Sequence, residues 1–295
     1  MLRSHHGPRA GLLTGSALTL ALASSALAQT TWHVDATAAP GGDGLTWATA
    51  LDSLQSALDV AALDEPIWVA AGTYHPTNRS NPSNPRSARF LITGDRCLFG
   101  GFWGTETSLD ERDPELFEHT ILSGDIGIAG DPADNTYRVI ELPSFAAPGF
   151  ACIDGFRITA GNAIGNGGAV LAKMDTGGYN PRVKLVHCTL NENSAEMGGA
   201  IAVENFGVVH LLDCLVERNS AADRGGAVFS EAGGCLAVNT RFRENKAINQ
   251  GGVLFADASN DGWIEYANCE FIANEANRGG VAYLRGGSFT AGIAY

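Results

Sequence analysis

Cys214-Leu-Val-Glu-Arg-Asn219-Ser-Ala-Ala-Asp-Arg-Gly225-Gly226-Ala-Val228 decides the fold, because the same arrangement lies on both sides of it. Upstream stand Cys188-Thr-Leu-Asn-Glu-Asn193 and Gly198-Gly199-Ala-Ile201. Downstream stand Thr240-Arg-Phe-Arg-Glu-Asn245 with Gly251-Gly252-Val-Leu254, and Cys269-Glu-Phe-Ile-Ala-Asn274 with Gly279-Gly280-Val-Ala282. A first glycine pair opens the series at Gly167-Gly168-Ala-Val170. Successive second glycines are 31, 27, 26 and 28 residues apart. A period in the twenties marks a stack of like units, none able to bury its apolar face alone.

Within each unit the alternation has period two, which is the strand pattern. Read straight through, the inward positions are Val186, Cys188 and Leu190, then Leu212, Cys214 and Val216. The next two sets are Val238, Thr240 and Phe242, and Ala267, Cys269 and Phe271. In-register coils place like on like, so Asn193, Asn219, Asn245 and Asn274 are expected to form a turn ladder of amides. The glycine pairs supply positive φ and close packing where the chain re-enters the next strand. The fold class expected is all-β: a right-handed parallel β-helix solenoid, the hand following from the rule for parallel crossovers.

Working outward, residues 152–295 are read as regular coils running to Tyr295. Either the last coil is left uncapped or the sequence is a fragment. Residues 67–151 are read as irregular first coils, with a polar, proline-rich insertion at 75–87 and a charged loop at 110–118. Residues 29–66 are read as an N-terminal helical cap. Leu51, Leu54, Leu58, Ala61 and Ala62 fall at helical spacing between Ala50 and Leu63, and a helix laid over the first coil would shield an exposed strand edge. Residues 1–28 carry Arg3 and Arg9, an apolar run from Gly11 to Ala23, and Ala26-Leu27-Ala28, the pattern of a cleaved secretory signal peptide. The expected location is secreted, extracellular or at the cell surface, with no transmembrane segment in the mature chain.

The formal charge of −13 becomes −15 without Arg3 and Arg9, and no basic cluster exists, so nucleic acid is not an expected partner. Six cysteines lie beyond the leader: Cys97, Cys152, Cys188, Cys214, Cys235 and Cys269. Three share one repeat position, with Thr240 in the fourth rung, so they read as buried free thiols rather than bridges.

The Gly-Gly-Ala-apolar and Phe-x-x-Asn pair resembles the repeat of polymorphic outer-membrane proteins. The N-terminal half is similar to secreted bacterial right-handed parallel β-helix proteins. The segments that carry this are Asp43-Gly-Leu-Thr-Trp-Ala-Thr-Ala50, Ile67-Trp-Val-Ala-Ala-Gly-Thr-Tyr74, Gly100-Gly-Phe-Trp-Gly-Thr-Glu106, Ile121-Leu-Ser-Gly-Asp125 and Ile153-Asp-Gly-Phe-Arg-Ile-Thr159. The resemblance covers nearly all of 31–295. It implies a pectin-lyase-like solenoid, exported and often surface-attached, and implies little about activity.

Such scaffolds host enzymes and passive surface proteins alike. Polygalacturonase, pectate lyase and mannuronan epimerase motifs are absent from the sequence. The outward columns offer His187, Asp213, Glu217, Arg241 and Arg243 as a glycan-binding patch or, in an enzyme, as catalytic candidates. Glu217 and Arg243 are also stacked neighbours of opposite sign, which predicts simple pairing. Asp125, Asp131 and Asp134, beside Asn135, lie in a glycine-containing loop and are candidate Ca²⁺ ligands, without an EF-hand spacing. Calcium is the only candidate cofactor. The expected function is a non-catalytic secreted or cell-surface repeat protein for adhesion or for contact with polysaccharide or cell-envelope components. The alternative is a polysaccharide lyase or glycoside hydrolase acting in a groove.

Overall fold

The protein is a parallel β-solenoid of about seven turns. A computed structural model describes residues 29–175, 177–257, 262–286 and 293–294; residues 1–28, read above as a signal peptide, lie outside them. Three long sheets run along the stack, with nine, seven and eight strands, and a short fourth sheet has three. The strand Asn78–Arg79 pairs antiparallel with Ala88–Leu91. Thus the 75–87 insertion folds back on its own coil instead of merely bulging. Every other strand ladder among the described residues is parallel.

A regular coil contributes one strand to each long sheet. In one such coil these are Val208–Leu212, Leu215–Glu217 and Val228–Glu231, with Ser220–Arg224 in the short sheet. Between the regular coils the first sheet keeps its register without slip: Val209 pairs with Val183 below and Cys235 above, and Leu211 with Leu185 and Ala237. All six side chains are fully buried.

The straight alternation expected through Val186–Leu190 does not hold. His187 adopts φ 48°, and Asp213, Asn239 and Asn268 repeat this at 54°, 51° and 50°. A left-handed residue turns the chain and resets the alternation. The stretch is therefore two strands joined by a corner. Leu185 and Leu211 point inward, whereas Val186 and Leu212 are only half-buried. The Cys/Thr position and Leu190, Val216 and Phe242 are inward as expected. Phe242 and Phe271 stack with centroids 5.4 Å apart and planes 6° from parallel.

The asparagine ladder is present, but the left-handed residue is the one before each asparagine. Glu192, Arg218, Glu244 and Ala273 have φ between 50° and 56°. The asparagine itself turns inward. Asn219 Nδ2 donates to Leu190 O at 2.9 Å and to Asn245 Oδ1 at 3.0 Å. The same pattern recurs from Asn193 to Asn219 and from Asn245 to Asn274. These amides satisfy carbonyls that the turn leaves without a strand partner.

The two glycines of each pair have different tasks. The first adopts positive φ, as in Gly225 at 65°. The second has no space for a side chain: a Cβ on Gly226 would lie 2.2 Å from Gly252 O in the next coil.

The Cys/Thr column also has a reason beyond size. Cys188 Sγ donates to Val186 O (3.2 Å) or Ile153 O (3.3 Å), and Cys214 Sγ to Leu212 O or Leu185 O, both 3.3 Å. Thr240 Oγ1 makes the equivalent pair with Val238 O and Leu211 O. A small donor is what the position requires, and thiol and hydroxyl both qualify.

At the N-terminal end the helix is shorter than Ala50–Leu63; it spans Leu54–Val60. Leu51 is held out of it by strand-like bonds, donating to His33 O and accepting from Asp35 N, both at 2.9 Å. Ala61 ends the helix in an extended conformation. Leu54, Ala57, Leu58 and Ala61 nonetheless enter the main core beside Val34 and Ile67, so the helix covers the first coil.

Candidate functional site

The corner residues His187, Asp213, Asn239 and Asn268 are exposed and stacked along the axis, beside Thr189, Leu215, Arg241 and Glu270. Together they form an open groove of about 670 Å³ across four coils. At about 4.8 Å per coil its length is roughly 14 Å. Pro114, Phe117 and Glu118 wall its upstream end, and the Cys/Thr column lies beneath.

That wall is a 3-10 turn, Pro114–His119, begun by the Asp113 side chain accepting from Glu115 N. Phe117 rests where two glycines leave room: a Cβ on Gly101 would lie 2.4 Å from its ring, and one on Gly155 2.7 Å. The ring stacks on His187, with centroids 5.7 Å apart. His187 Nδ1 is 2.9 Å from Asp154 Oδ1, and Arg112 Nη2 donates to Asp154 Oδ2 at 3.0 Å. Arg112 lies over the Phe99 and Phe117 rings at 5.4 Å. Glu118 accepts a short hydrogen bond from Thr189 Oγ1.

Of the five residues expected to form a patch, His187, Asp213 and Arg241 line this groove. Glu217 and Arg243 do not. Glu217 is buried and bonded to Arg243 and Arg218, each at 2.5 Å. Arg241 pairs with Glu270 of the next coil at 2.5 Å, and Asp213 accepts from Asn239 Nδ2 at 3.0 Å. Pairing between coils, foreseen for Glu217 and Arg243, is the rule on this face. The thiols beneath are poor nucleophiles, because burial pushes Cys214 up to about 12 and Cys188 well above its usual range.

The outward columns of the sequence contain no aromatic, and nothing in them points to Phe117, Glu118, Asp154 or Arg112. The pair Asp113-Pro114 signals a capped turn, yet nothing local indicates that the turn folds over His187.

Asp125, Asp131 and Asp134 are not drawn into one donor set. Asp125 accepts from Gly130 N at 2.9 Å, Asp131 from Ala133 N at 2.9 Å, and Asp134 from Ile128 N at 2.7 Å. Each carboxylate closes its own piece of loop. Among the described residues no group of three or more His, Cys, Asp or Glu side chains is placed to hold a metal ion.

No described helix is long and apolar enough to cross a membrane. No family model, curated protein or solved structure matches the chain.

Proposed function

We propose that this is a non-catalytic, exported β-helix whose corner groove receives an extended glycan or another cell-envelope polymer, in adhesion or envelope contact. The observation that carries the reading is the groove itself: open, four coils long, with polar side chains along both rims broken only by Leu215, and Phe117 at its head. Its acid and base side chains are largely engaged with one another, Arg241 with Glu270 and His187 with Asp154. Such pairing suits a surface that holds its shape better than one that moves protons. The export pattern in residues 1–28 and the likeness to polymorphic outer-membrane repeats and pectin-lyase-like solenoids support a location outside the cell.

A second reading keeps one observation in its favour. His187, oriented by the buried Asp154 carboxylate, has the form of a general base, which an enzyme acting on polysaccharide would use. One screen separates the two. The purified chain is incubated with soluble and insoluble polysaccharides, with and without Ca²⁺, and both retention and bond cleavage are recorded. Retention without cleavage, weakened at least fivefold in Phe117→Ala and Arg241→Ala, supports the glycan-binding reading. Cleavage abolished in His187→Ala moves the protein to the enzymes. Neither retention nor cleavage turns the search towards protein partners.

A further inference from the structure

Two cysteines stand apart from the inward thiols. Cys97 begins the strand Cys97–Phe102, and Cys152 lies in Ala151–Asp154 on the next coil of the same sheet. They are direct partners in the parallel register, fixed by Cys152 N donating to Arg96 O at 2.8 Å. Leu98 and Ile153, their chain neighbours, are fully buried, so these two side chains lie on the outer side of the sheet, where both are half-buried. Partners in a parallel ladder have Cα atoms about 4.8 Å apart, inside the range that a disulfide spans. Cys97 is also the first residue of its strand.

We propose that Cys97 and Cys152 are a disulfide-forming pair that closes on exposure to a disulfide oxidant, stapling two coils across the loop-bearing segment 98–151. The Cys97 thiolate attacks one sulfur of the oxidant and expels a thiolate. Cys152 then attacks Cys97 Sγ and expels the second. The protons lost by the two cysteines end on the two released thiols, so the protein pair is oxidised by two electrons and the oxidant is reduced by two. The environment favours this order. The Cys152 hydrogen bond holds Cys97 down at about 7 against the opposing effects of burial and Asp95, with Lys184 nearby assisting. The other four cysteines are not so placed: Cys188, Cys214 and Cys235 are buried, and Cys269 bonds to Ala237 O or Ala267 O.

The test treats the full chain with oxidised glutathione at neutral pH, then counts thiols after denaturation and maps peptides without reduction. The expected count falls from the six of the sequence to about four, with one linkage, between the peptides holding Cys97 and Cys152. The oxidised protein should melt several degrees higher than the reduced one, since a cross-link over so long a segment restricts the unfolded chain. Cys152→Ser should trap glutathione on Cys97 and gain no such rise. Six thiols surviving oxidation, or a linkage between any other pair, overturns the proposal. Peptide mapping of the unsubstituted protein decides it even if a variant folds poorly.

Discussion

Asn219 and Asn245 are tied by one oxygen: Asn245 Oδ1 accepts both the backbone N–H of Asn219 at 3.2 Å and its Nδ2 at 3.0 Å. Both residues are almost wholly buried. Asn219→Ala leaves Leu190 O without its amide donor and removes the acceptor for the Asn193 backbone N–H. Buried groups left unpaired cost about 1–3 kcal/mol each. The variant should lose about 3 kcal/mol or more in urea denaturation. Asn219→Asp should be no better, since it restores the acceptor but sets a carboxylate against a carbonyl.

Gly226→Ala should be far more damaging than Gly130→Ala. At Gly226 the added methyl would meet backbone, Gly252 O, which cannot move without parting two coils. At Gly130 the φ of 78° is strained for alanine but nothing lies within 4 Å. The expected cost at Gly130 is about 1–2 kcal/mol, the strain of left-handed geometry alone. Gly226→Ala should express mostly as insoluble protein. Soluble yield and melting temperature give the comparison.

Two ion pairs on the same face should differ. Glu217 is buried between Arg218 and Arg243, whereas more than half of the Arg241 and Glu270 side chains is exposed. Glu217→Ala leaves two guanidinium groups facing each other and should cost about 2–3 kcal/mol. Arg241→Ala should cost less than about 1 kcal/mol, and less still at high salt. Denaturant titrations at low and high NaCl test both.

Cys97 should be the first thiol to react with a neutral alkylating agent, and its rate should follow pH. Its acidity is raised by the Cys152 hydrogen bond, which favours the thiolate. The group is therefore protonated and slow below about 7 and reaches its plateau above it. Removing the donor in Cys152→Ala should move the midpoint upward. Cys214 and Cys235, pushed up to about 12 by burial, should stay unmodified until the protein unfolds.

What could be read from the sequence is what the coils repeat. The asparagine column, the glycine pairs and the Cys/Thr position each recur at fixed offsets, so one physical reason accounts for several residues at once. The pairing of Glu217 with Arg243 was visible for the same reason. The corner at His187 was hidden because residues other than glycine occupy left-handed geometry there, and period-two reading carries no marker for it. Asp213, Asn239 and Asn268 at the equivalent positions are residue types that tolerate such geometry, and were the available hint. Phe117 was out of reach because its place over His187 is set by a single loop crossing Gly101 and Gly155. An event that happens once has no column to reveal it.

The asparagine row has one more consequence. The three amide-to-amide links between Asn193 and Asn274 share one sense, with Nδ2 donating forward to the Oδ1 of the next coil, while each Nδ2 also donates back to a backbone carbonyl of the preceding coil. Backbone bonds between the coils run both ways and largely cancel. The amide row does not, so its dipoles add head to tail and each bond polarises the next. The stack thus has an electrical polarity along its axis, carried by four side chains. A break at Asn219 should weaken the links on both sides of it, beyond the bonds it removes.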